Sequence, residues 1–187
     1  QQEQFGFRIV GMRIYDPKHA DADAKGFRHF DKSYGRSLTT RESLLEALRL
    51  FFSAGIKPLD PAHTHTQTQH TTNTNGNGGH HGDVQEKVRT RAISNMLLEL
   101  RPFRRFFDEN KSLRFYASSL LIVYEGDVSK ENTASIKMID FGRVRRDPAG
   151  DHGCSIGLRT LKHMLTDVLE EEDERQRDAP VPHDEKD

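Results

Sequence analysis

Apolar side chains alternate with polar ones in "FGFRIVGMRIYD" (residues 5–16) and again in "KGFRHFDKSYG" (25–35), with a polar "PKHADADA" turn between the two stretches. Alternation sends successive side chains to opposite faces of an extended chain, so the pair predicts two strands joined as a hairpin. The period then changes. Leu44, Leu45, Leu48, Phe51 and Phe52 share one face of a helix beginning near Arg41, with Thr39 or Thr40 as its cap and Gly55 closing it before Pro58. From Asp60 to Asp83 the chain offers no large apolar side chain that would offset the entropy of ordering it, which predicts a disordered insertion over 60–83.

Helical spacing returns with Val84, Val88, Ala92, Ile93, Met96, Leu97 and Leu100 up to Pro102, and Phe103, Phe106 and Phe107 carry the apolar material further. "LRFYASSLLIVYEG" (113–126) predicts one long strand and "SIKMIDFGRVR" (135–145) another, joined through "DVSKENTA" as a hairpin. Ile156, Leu158, Leu161, Met164, Leu165 and Val168 lie on one face of a last helix, for which Asp151 is an N-cap. The acidic, proline-containing stretch 171–187 predicts a disordered tail. These elements amount to an α+β domain, an antiparallel sheet with packed helices, built from residues 1–59 and 84–170.

Composition narrows the partners. With 28 basic and 29 acidic residues the net charge is −1, so no overall field draws the protein to nucleic acid or to a membrane surface, and any anion binding is local. No apolar run approaches the roughly 20 residues of a membrane span, so no membrane-spanning segment is expected; nor is a stable oligomer. One cysteine, Cys154, rules out an internal disulfide framework and a cysteine-based zinc site, which points to the cytoplasm or nucleus. The insertion holds five of the ten histidines, yet its Thr/Asn/Gly surroundings offer no second-shell support for a metal. The chain does not begin with Met and enters a strand pattern by Phe5, so a start further upstream is expected.

Candidate chemistry concentrates near Asp140. It follows the apolar "IKMI", and Gly142 permits a sharp turn just after it. In phosphoryl transfer an acid at such a strand end holds the magnesium that bridges nucleotide phosphates, as in the Asp-Phe-Gly of protein kinases. Taken alone, the triplet is more often the mark of an ordinary Asp-capped turn than of a metal site. A second feature bears on it: Ser118 and Ser119 are the polar break in the apolar run 113–124, and antiparallel pairing would bring one of them near the acid. Partly buried hydroxyls need partners, either a hydrated metal or phosphate, or the backbone.

"FGFRIVGMRIYD", "DKSYGRSLTTRESLLEALRLFFSAG", "RFYASSLLIVYEG", "IKMIDFGRV" and "DHGCSIGLRTLKHML" resemble, in order and spacing, the inositol polyphosphate kinase family, and "YGRSLT", "FYASSLL" and "VYEG" are most similar to its multikinase branch. The resemblance implies the larger, C-terminal lobe of a fold distantly like protein kinases, with ATP held between lobes and Mg2+ on its phosphates. It implies Asp140 as a metal ligand and Ser119 as support for the metal or its water. It places Arg143 where the family has His or Lys facing a substrate phosphate, and makes Lys32, with Arg36 behind it, a further substrate contact; the ordinary reading of Lys32 is a solvated strand-end cation. The implied reaction is ATP-dependent phosphorylation of inositol trisphosphate and tetrakisphosphate. The family's Pro-x-x-x-Asp-x-Lys-x-Gly motif, with its catalytic Asp, belongs before "FGFRIVGM" and is absent, so this chain alone is expected to be inactive. The competing expectation is a non-catalytic module, a degenerate lobe that binds inositol phosphates or a protein.

Overall fold

The computed structural model describes residues 2–55 and 88–178. The insertion placed at 60–83, the helix start at Val84 and the tail beyond 178 lie outside the described residues.

The chain opens with a short helix α1 (Gln2–Phe5), followed by strands β1 (Met12–Tyr15) and β2 (Phe27–Phe30) and helices α2 (Lys32–Ser37) and α3 (Arg41–Phe51). After it come α4 (Thr90–Glu109), β3 (Leu113–Phe115), β4 (Ser119–Tyr124), β5 (Ala134–Ile139), β6 (Val144–Arg146) and α5 (His152–Arg177). Helices α3, α4 and α5 form the core through Leu44, Leu48, Ile93, Met96, Met164 and Leu165, all buried. Helix α3 starts where the sequence indicates: Thr40 and Ser43 form a reciprocal capping box that satisfies two of the orphan N–H groups of its first turn.

Three expectations are corrected. First, the strands form three separate two-stranded antiparallel ladders, β1–β2, β3–β6 and β4–β5, in place of one sheet. The first strand keeps only Met12–Tyr15, because residues 6–11 lie against α5 and α2, with Gly157 seated on the Gly6 carbonyl and Gly35 on the Ile9 carbonyl. Second, α4 runs straight through Pro102. Proline removes one helical hydrogen bond, to the carbonyl four residues back, but both Pro102 and Leu98 are on the exposed side of the helix, where solvent can compensate for the lost bond. Third, α5 continues to Arg177, past the point where the tail was placed. Glu172, only 4% exposed, is gripped by Arg175, while Arg49 donates from Nε to Glu171 at 3.0 Å and Arg41 pairs with Asp167, tying this charged stretch to α3.

The two long strands of the expectation are each broken once, at the same place. Between the β3–β6 and β4–β5 ladders one strand contributes Ala117 and Ser118, while the other contributes Asp140, Phe141 and Gly142. The ladders fix this count: Ser119 pairs with Ile139, and the Tyr116 N–H donates to the Arg143 carbonyl at 3.1 Å. One strand therefore carries an extra residue, a bulge, and bulges bend a ribbon and re-aim its side chains. Ala117 (φ 57) and Asp140 (φ 66) both adopt the left-handed conformation at the bend.

Candidate functional site

Asp140 sits at this kink with its side chain exposed to solvent. Its backbone carbonyl accepts a 2.9 Å hydrogen bond from the Ser118 hydroxyl. Ser118 is thus the serine that touches residue 140, while Ser119 lies one step along, opposite Ile139, half-buried. Phe141, 55% exposed, leans edge-on against Phe115 at 6.3 Å between centroids, and Phe115 packs in the same manner on Phe107 of α4 at 5.2 Å. An aromatic row therefore anchors the turn to the helical layer and leaves the acid at its tip.

At the far end of the β4–β5 hairpin, Arg89 holds the ribbon in place. It is 5% exposed, donates from Nη1 to the carbonyls of Ala54 and Gly126 at 3.3 Å, and bonds the Asn132 side chain. Tyr124, next to that end, donates its hydroxyl to the Phe51 carbonyl at the close of α3, and burial pushes its phenol above the usual range. Both ends of the ribbon are therefore fixed on the core, which a site needing a constant aim requires.

Arg143 leaves the kink exposed, three residues beyond Asp140. The structure brings Asp140, Ser118, Ser119 and Arg143 together at the bend. It does not join Lys32 or Arg36 to them: both are exposed on α2, which packs beside β2, and among the described residues no hydrogen bond or ion pair links α2 to the kink. Lys32 opens a helix capped by Asp31, which accepts from the N–H groups of Ser33 and Tyr34, so it is a helix-start cation, not a strand-end one. Those hydrogen bonds, with that of the Ser33 hydroxyl foremost, hold the Asp31 carboxyl below the usual carboxylate range.

Asp151 is the N-cap that the sequence indicates. Its carboxylate accepts from the Cys154 N–H at 2.9 Å and from the Phe115 N–H at 2.7 Å, pinning β3 to the start of α5. Two arginines escaped the sequence reading, Arg114 and Arg145, which face each other across the β3–β6 ladder. Their signal was the alternation Arg143–Val144–Arg145, legible only once that strand is known to restart after Gly142.

Among the described residues no group of three or more His, Cys, Asp or Glu side chains is placed to hold a metal ion. One carboxylate with a neighbouring hydroxyl suits instead a hard divalent cation that keeps several waters and takes its remaining ligands from phosphate oxygens, as Mg2+ does.

The arrangement defines an α+β fold shared with solved inositol phosphate multikinases. One, from S. cerevisiae and in complex with ADP and Mn2+, superposes with a TM-score of 0.60 over 89% of this chain and 65% of that one, at 22% identity. A second inositol phosphate multikinase gives 0.59 over 87% and 62%, at 20% identity. A sequence model of the inositol polyphosphate kinase family matches residues 1–166, and the chain belongs to that family. The inositol polyphosphate multikinase of Rattus norvegicus is 29% identical over 133 residues, covering 71% of this chain and 24% of the relative. Inositol hexakisphosphate kinase 3 of Mus musculus is 25% identical over 190 residues, covering 89% of this chain and 39% of the relative. The chain spans about a quarter of the length of the multikinases it matches.

Proposed function

We propose that this chain supplies the metal-holding and substrate-phosphate part of an ATP-dependent inositol polyphosphate kinase, acting on inositol trisphosphate and tetrakisphosphate. The observation that carries the reading is the bulge that turns Asp140 out of its strand beside the Ser118 hydroxyl while both ends of the ribbon stay fixed on the helical core. A non-glycine residue held in the left-handed region is tolerated where the surroundings over-determine it, and such places cluster at functional sites.

In this reading Asp140, with Ser119 beside it, holds Mg2+, which would neutralise charge developing on the nucleotide phosphates. Arg143 grips a substrate phosphate through its planar fork, and Lys32 and Arg36 supply positive charge from α2. The ADP and Mn2+ of the similarly folded S. cerevisiae multikinase support a nucleotide and a divalent ion as ligands.

Because the relatives are far longer, turnover is measured on the full-length gene product, supplied with ATP, Mg2+ and inositol trisphosphate. Asp140→Asn is expected to lower kcat by about 100-fold or more, the scale of removing one electrostatic contact to the transition state. Equal turnover in the two proteins removes Asp140 from the mechanism. A wild-type product that binds inositol phosphates but transfers nothing supports the non-catalytic module instead.

A further inference from the structure

We infer that Arg145, with Arg114 across the ladder, forms a second phosphate-binding position beside Arg143, one that selects inositol rings carrying several phosphates. The inference rests on the kinase reading above and extends it to residues outside the kink.

The β3–β6 register provides the geometry. The Tyr116 N–H bonds to the Arg143 carbonyl and the Asp147 N–H to the Ser112 carbonyl, so by the alternation of an antiparallel ladder Arg114 and Arg145 are likewise a directly opposed, hydrogen-bonded pair, with Cα atoms about 5.5 Å apart. Arg143 precedes β6, but its carbonyl accepts from the Tyr116 N–H and so continues the ladder's pairing, which sets its side chain on the same face as Arg145, two residues on, at a strand spacing of about 6.6 Å. Three guanidinium groups therefore crowd one face of a short ribbon. Like charges set directly opposite each other disfavour a ladder.

The protein's own carboxylates do not balance them. Asp147 accepts from Arg114 at 3.3 Å, and its carboxyl is held below the usual range first by the Ala149 N–H and then by that arginine. Among the described residues, no carboxylate lies within 4.0 Å of Arg143 or Arg145. The excess is local, since the whole chain carries a net charge of only −1. A small polyanion with phosphates on neighbouring ring carbons answers that pattern: one phosphate meets Arg143 and the next meets Arg145, each through a planar two-pronged contact that lysine would not provide. A monophosphate can fill only one position. The same chemistry is found on a phosphoinositide headgroup, and the vesicle comparison below separates that source from the soluble ring.

The test is calorimetry on the full-length gene product without nucleotide, titrating inositol tetrakisphosphate and, in competition, inositol monophosphate. Arg145→Ala is expected to weaken tetrakisphosphate binding about tenfold and monophosphate binding less than about twofold, with Arg145→Lys falling between. Equal losses on both ligands, or none, overturn the inference. So does a variant that loses only its attachment to vesicles containing phosphatidylinositol bisphosphate. Because binding is read without turnover, a protein that binds in this graded way yet transfers no phosphate defeats the kinase reading alone.

Discussion

Asp140 and Ala117 show how much a single backbone angle decides. An L-residue in the left-handed region costs about 1–2 kcal/mol, less for Asp, whose short side chain tolerates it. Glycine is the usual sign of such a site, and here the glycine is Gly142, two residues late. The acid, the serines and Arg143 were legible in the sequence; the bulge that exposes the acid was not, because neither residue that adopts the unusual angle announces it. Ser119 follows from the family's Ser-Ser-Leu-Leu pattern; what the sequence did not show is that the Ser118 hydroxyl bonds the Asp140 carbonyl while Ser119 lies opposite Ile139. Cys154 offers a plain check at this scale. Burial, and then the Asp151 carboxylate, push its thiol up to about 12. The thiolate is the reactive form, so at pH 8 the native protein is expected to react with a disulfide reagent on the order of 100-fold or more slowly than the urea-unfolded chain. Equal rates would place Cys154 in open solvent.

Among the elements, the hairpin through "DVSKENTA", helix α3 with its Thr40 cap and the start of α5 at Asp151 follow the sequence pattern, since each rests on local chemistry. The misses share a cause in tertiary contact. Residues 6–11 alternate like a strand but have no strand to pair with among the described residues, and α4 passes Pro102 because its exposed face forgives a lost bond. Charge-rich residues 171–177 are helical because Arg49 and Arg175 reach them. Helix α2, carrying Lys32 and Arg36, has its position set by Gly35: a Cβ there would stand 2.1 Å from the Ile9 carbonyl oxygen. Gly35→Ala is expected to lower stability in urea by about 1–3 kcal/mol, since backbone must move to admit the methyl. A change below about 0.5 kcal/mol would show that α2 is free to shift.

For the whole molecule, the three-helix core and the kinked ribbon act as mount and pointer. The mount was readable from helical periodicity; the pointer's direction was not, because it depends on two ladders meeting with unequal strand lengths. Near-neutral net charge leaves local anion recognition as the electrostatic option, and the chain belongs to the inositol polyphosphate kinase family. No helix among the described residues is long and apolar enough to cross a membrane.

The central claim is that Asp140 holds a divalent ion shared with nucleotide phosphates, and its most direct test is ADP affinity of the full-length gene product with and without Mn2+, for the wild type and Asp140→Asn. A shared ion makes the two ligands bind cooperatively, so in the wild type Mn2+ should tighten ADP by about 5-fold to 150-fold, the usual range of coupling between sites. In Asp140→Asn that enhancement should largely vanish. An enhancement of the same size in both proteins would contradict the account.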